Sequence, residues 1–198
     1  MPKRRAAIIT DSDVDESSPS GDDVGIDILI ATRGDLILLV GESRRRIRVH
    51  SEVMHEGSSV FHVLLGSRPN ASPREANKRP IELSLPDDNA GTIALLCNIL
   101  HCATTLKHTP SSREILALAK AARKYNALPR AVFTAEVWIE KLSGFQNSEL
   151  LWDLLLAAYE MDLDGSFDKV SRQLLLMHSG SFRELVGYVA RNCLAADL

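Results

Sequence analysis

Cys97, His101, Cys102 and His108 place four side chains able to bind zinc within twelve residues. Cys97 and His101 would share one helical face at i, i+4. A structural zinc site needs four thiolate or imidazole donors at the corners of a tetrahedron, and the spacing here does not supply them. On a helix Cys102 projects about 100° around from His101, and the C-x3-H-C order lacks the paired knuckle of such sites. Cys97 also falls on an apolar stripe, where a free thiol packs as a small hydrophobe. The preferred reading is a mixture of core and surface residues without a metal; a small metal-dependent enzyme built on this cluster is the remote alternative.

Other patterns that touch chemistry have plainer readings. Glu160-x-Asp162-x-Asp164-Gly165 resembles the opening of a calcium loop, but position twelve is Ser171 instead of the bidentate Glu that closes the cage. It is read as a turn between helices, stopped by Gly165 and restarted by Ser166. No G-x-S-x-G elbow, glycine-rich phosphate loop or H-E-x-x-H helix occurs in the sequence. His50 has the chemistry of a base, yet its place between a strand and a short helix gives it a structural role first. Gly57-Ser58-Ser59 is read as a helix cap. Arg44, Arg45, Arg46 and Arg48 form the densest basic patch; with Arg44, Arg46 and Arg48 on one face, it is read as the wet side of a hairpin. No catalytic residue, metal ligand or cofactor site is expected.

The composition fits that outcome. The 198 residues are 45% hydrophobic and 25% charged, as in an ordinary soluble globular protein. Of the net charge of −3, all resides in the first 25 residues, where Lys3, Arg4 and Arg5 face six acidic side chains. The rest of the chain is neutral, so it lacks the positive field on which nucleic-acid binding depends. Three cysteines suit no secreted disulfide framework, and no signal-peptide core is apparent, so an intracellular location, cytoplasmic or nuclear, is expected. No apolar run reaches the roughly 20 residues that span a bilayer, and no membrane partner is expected.

The elements that must position these residues follow from periodicity. Residues 1–25 are rich in Ser and Asp and read as a disordered acidic tail. Ile26, Ile28 and Ile30 alternate with Asp27 and Leu29, which predicts a leading strand. Leu36 to Val40 is a continuous apolar run, as in a strand covered on both faces, and Gly41-Glu42-Ser43 turns it into the alternating strand Arg46 to Val49. A short helix follows His50, and a second carries Val60, Phe61, Leu64 and Leu65. A Pro-rich loop of about fifteen residues leads to the strand Ile81 to Leu85. Pro86-Asp87-Asp88 is expected to open a helix striped by Ile93, Leu96, Cys97 and Leu100. Ser111 and Glu114 form a capping-box pattern before Ile115, Leu118, Ala119, Ala122 and Tyr125. Pro129 starts a helix with face Leu128, Ala131, Val132, Ala135, Trp138, Ile139 and Leu142. Three further helices are striped by Leu151, Leu154, Leu155 and Ala158; by Phe167, Val170, Leu174 and Met177; and by Phe182, Leu185, Val186, Val189 and Cys193, the last capped by Ser181 with Glu184.

This order resembles the BTB/POZ family, in particular its short fungal members. The matching residues are Asp35 and Leu36 through Val40, then Val49, His50, Val53 and Met54, then Ser58, Val60, Phe61, Leu64 and Leu65. They continue with Ile81, Leu83, Leu85, Pro86, Asp87 and Asp88, and end with Ala119, Lys124 and Tyr125. Ser51 stands where the family usually places a basic residue after the His. The resemblance spans roughly residues 34–125 and implies an α/β domain over 26–130, with a small mixed β-sheet wrapped by helical hairpins. Residues 131–198 would form an all-helical C-terminal extension. It also implies a non-catalytic protein–protein interaction module whose partners are other protein chains, as a homodimer or a BTB heterodimer. Ile26, Ile28 and Ile30 are candidates for adding a strand to a partner's sheet. Met54, Val60 and Phe61 lie where the family's helical dimer contacts fall, although core packing is the first role expected for Phe61. The family's alternative role is as substrate adaptor for a cullin-3 ubiquitin ligase, for which the nearest match is Pro73-Arg74-Glu75, with Glu75 as the candidate contact.

Overall fold

The computed structural model describes residues 25–66, 80–102, 109–144 and 147–187. The acidic tail up to residue 24, the Pro-rich loop with Glu75, and His108, Val189 and Cys193 lie outside the described residues. The predicted leading strand pairs over only two residues, β1 (Ile28–Leu29), which runs parallel to the basic strand β3 (Arg45–Val49). The apolar run forms β2 (Leu36–Val40) and makes an antiparallel hairpin with β3. Its turn takes Gly41 and Arg44 into the left-handed region, with φ of 73° and 50°. β4 (Ile81–Leu85) runs parallel to β2, so the sheet order is β1-β3-β2-β4. Every residue of β2 is buried, because it has a strand on each side and packed layers on both faces.

Two short helices follow the hairpin, α1 (Ser51–Gly57) and α2 (Ser59–Leu65). Between them Ser58 stays extended and its hydroxyl accepts from the Phe61 amide at 3.1 Å, an N-cap that lets the chain change direction in one residue. After β4 come α3 (Ala90–Leu100), α4 (Ser112–Lys124), α5 (Leu128–Ser143), α6 (Ser148–Glu160) and α7 (Asp164–Met177); residues 182–187 are again helical. The capping box forms in full at Ser111 and Glu114. The stripes of α3, α4 and α6 are buried as their periodicity requires. One connected cluster of buried residues runs from Leu36 in β2 through α3 and α4 to Leu174 in α7 and Leu185, so the sheet and the later helices share a core.

Five local expectations are corrected. Arg48 is not on a wet face: it is buried, and its Nε donates to the Gly34 carbonyl at 2.8 Å. Arg44 lies in the turn instead of sharing its face. The helix expected to open on Pro86-Asp87-Asp88 begins at Ala90, because the Asn89 side chain accepts from the Thr92 amide and so provides the cap. In the acidic turn the chain breaks at Asp162, at φ 55°, and Gly165, read as the stop between the helices, sits inside α7; aspartate is one of the few residues that enters the left-handed region readily. On α7 the predicted stripe narrows to Val170 and Leu174, with Phe167 and Met177 exposed.

Candidate interaction surface

The zinc-like cluster resolves into a helix end. Cys97 is fully buried, and burial pushes its thiol up to about 12, so it stays protonated and packs as an apolar side chain. His101 caps α3: its Nε2 accepts from the His50 backbone N–H at 3.0 Å, and its Nδ1 lies 2.8 Å from the Cys97 carbonyl. A backbone N–H only donates, so Nε2 is unprotonated and Nδ1 carries the proton, donating to Cys97. Both ring nitrogens are therefore engaged and neither is turned toward a metal. Cys102 is exposed, and His108 lies outside the described residues. The acidic turn is likewise engaged by a protein cation: Arg123 pairs with Glu160 at 3.1 Å and with Asp162 at 3.2 Å.

The residues that carry the family resemblance meet one another. Asp88 after β4 accepts from the Tyr125 hydroxyl at 2.7 Å and from Lys124 Nζ at 2.8 Å. The Tyr125 ring stacks on Phe61 with centroids 4.7 Å apart and planes 9° from parallel. The Ser58 hydroxyl donates to the Tyr125 carbonyl. Burial, and after it the hydrogen bond and negative charge of Asp88, raise the Tyr125 phenol above its ordinary value, which keeps it a donor. At the other end of the resemblance, Asp35 accepts from both the backbone amide and the hydroxyl of Ser51, at 2.7 and 2.5 Å. These groups tie β2 to α1, and α2 to β4 and the end of α4. Their contacts are internal.

The candidate contact residues fall on different sides of this boundary. Met54 and Phe61 have no exposure and belong to the core; as the chain is folded they touch its own interior. Val60 is partly buried against the same core. Ile26, Ile28 and Ile30 are half-buried, and β1 is already hydrogen bonded to β3, with its outer edge at the end of the sheet. Glu75 lies outside the described residues.

Among the large apolar side chains that face water, Leu29 lies on β1, and the most exposed are on the helices. Phe133 is 76% exposed and Val137 66%, at i, i+4 on the outer face of α5; Leu175 and Leu176 stand out near the end of α7, and Val63 on α2. Sequence reasoning gave α5 one apolar stripe and passed over Phe133 and Val137. The available signal was an aromatic and a β-branched residue lying off that stripe, four apart. A cleft of about 290 Å³ between the starts of α3 and α4, lined by Thr92, Leu95, Asn98, Pro110 and Glu114 among others, gathers no cluster of titratable groups suited to catalysis. No helix among the described residues is long and apolar enough to cross a membrane. In comparisons with known proteins, no family model matches the chain and no curated protein matches it.

Proposed function

We propose that this chain is a non-catalytic protein–protein interaction module of BTB/POZ type, acting by association with itself or with a related chain and by recruiting further partners through its later helices. The observation that supports this reading is the exposure of Phe133 and Val137 on a helix whose other face is firmly packed. Large apolar side chains left in water on a rigid element are what an interface uses as anchors, since burying each aromatic or aliphatic group there releases the free energy that drives association. The internal ties among Ser58, Phe61, Asp88, Lys124 and Tyr125 add support, because the residues that suggested the family act together in holding its strands and helices in register. The chemistry-bearing side chains that sequence singled out, Cys97 and His101, are engaged in that same scaffolding.

The reading is tested by light scattering on a size-exclusion column across a dilution series. A mass that rises from one chain to two with concentration is expected. A single-chain mass at every concentration up to the high-micromolar range would remove self-association from the proposal.

A further inference from the structure

The exposed face of α5 carries more information than its two apolar residues. Arg130, Phe133, Val137 and Glu140 follow one another at spacings of three, four and three, the interval at which successive side chains line a single helical seam. All four are exposed. The seam thus reads cation, aromatic, aliphatic, anion, over a length of about 15 Å. Arg130 makes no ion pair among the described residues. Glu140 pairs with Lys169 of α7, with both side chains well exposed to solvent, where such a pair is weak and readily exchanged.

From this pattern we infer that α5 pairs with α5 of a second copy of the chain, antiparallel and across a two-fold axis that meets the exposed seam midway between Phe133 and Val137. This inference rests on the self-association proposed above and assigns it a surface. In the antiparallel arrangement positions summing to 270 face each other. Phe133 then packs on the partner's Val137, and Arg130 meets the partner's Glu140, each contact occurring twice as an isologous interface requires. The parallel arrangement would oppose Arg130 to its own copy and Glu140 to its own copy, placing like charges together at both ends. The charges therefore choose the orientation, and the second copy is the occupant whose chemistry matches the seam end for end. A seam this short buries less than the roughly 1,200 Å² of a stable interface, so the pair is expected to dissociate on dilution.

The test uses the full chain in sedimentation equilibrium, with thermal melting as a check on folding. Phe133→Glu is expected to leave the melting temperature unchanged, because the side chain is in water, and to weaken pairing about tenfold or more. Arg130→Glu and Glu140→Arg are each expected to weaken pairing alone, since like charges then meet at both ends. A one-to-one mixture of those two variants is expected to pair again as a heterodimer, and the double variant R130E/E140R to pair with itself. Should Phe133→Glu fail to fold, the charge variants decide the matter alone. If the unaltered chain forms dimers that none of these variants disturbs, the α5 seam is overturned while self-association stands. If the unaltered chain is monomeric throughout, both are overturned.

Discussion

The imidazole of His101 is hydrogen bonded at both nitrogens, and the protonation state follows from the partners. Its pKa is lowered first by burial and then by the charge of His50, whose ring lies 5.9 Å away, while the bond to the Cys97 carbonyl acts in the opposite sense. Cys97 beside it is a neutral thiol, and the Asp35 carboxylate is held by Ser51, the residue after His50. In the unfolded chain His101 takes up a proton near the ordinary value of 6.5; in the folded chain it does so only at lower pH. Between those two points the unfolded state holds more protons, so stability falls as the pH falls. His101 thus contributes its full stabilisation above about pH 6.5 and loses it on acidification through its lowered value. Urea midpoints measured from pH 8 to pH 5 are expected to decline, and to decline less in a His101→Gln variant. Equal declines in the two proteins would mean that His101 carries no such linkage. The apolar periodicity around Cys97 was visible in the sequence; the acceptor role of His101 was not, because His50 is far from it along the chain and near it only after folding.

At the scale of elements, the hairpin shows how a backbone contact limits side chains. Gly34 precedes β2, and a Cβ added to it would lie 2.4 Å from the Val49 carbonyl oxygen of β3. Its own carbonyl accepts from buried Arg48. Gly34→Ala is expected to destabilise the protein by about 1–3 kcal/mol in equilibrium denaturation, since a strand backbone must move and an arginine must lose its acceptor with it. A change within a few tenths of a kcal/mol would show that the strand end shifts freely. The strands themselves were legible from the sequence: the unbroken run Leu36 to Val40 signalled a strand covered on both faces, and Arg46 to Val49 its alternating neighbour. That alternation suggested a wet arginine face. Packing made Arg48 an internal donor instead, with its Nε on the Gly34 carbonyl.

For the whole molecule, the deciding feature is the single core. The stretch after Arg130 reads in sequence as a helical extension; in the structure α6 lies along α4 with Leu151, Leu154, Ala157 and Ala158 fully buried. Buried Asp153 accepts from the Ser112 hydroxyl at 3.0 Å, joining α6 to the first turn of α4; burial raises its pKa, with the Ser112 bond opposing. Leu151, Leu154, Val170 and Leu174 together withdraw side chains worth roughly 6–12 kcal/mol from water, which is comparable to the whole stability of a typical domain at about 5–15 kcal/mol. A chain ending at residue 130 is therefore expected to melt well below the full chain over a broader transition, and to bind a hydrophobic dye that the full chain does not. An unchanged melting curve would show that the later helices add nothing to the first core.

What the sequence determined by itself was local: where strands and helices lie, their caps at Ser58 and Ser111, and the inward stripes of α3, α4 and α6. Those features depend on periods of two and 3.6 residues and on hydrogen bonds to near neighbours, and such information is contained in a short window of chain. Tertiary structure alone decided that Met54 faces inward, that Arg48 and His101 are internal partners, and that Phe133 and Val137 remain in water. Each of these depends on which distant segment occupies the adjacent space, and a one-dimensional pattern carries no record of it.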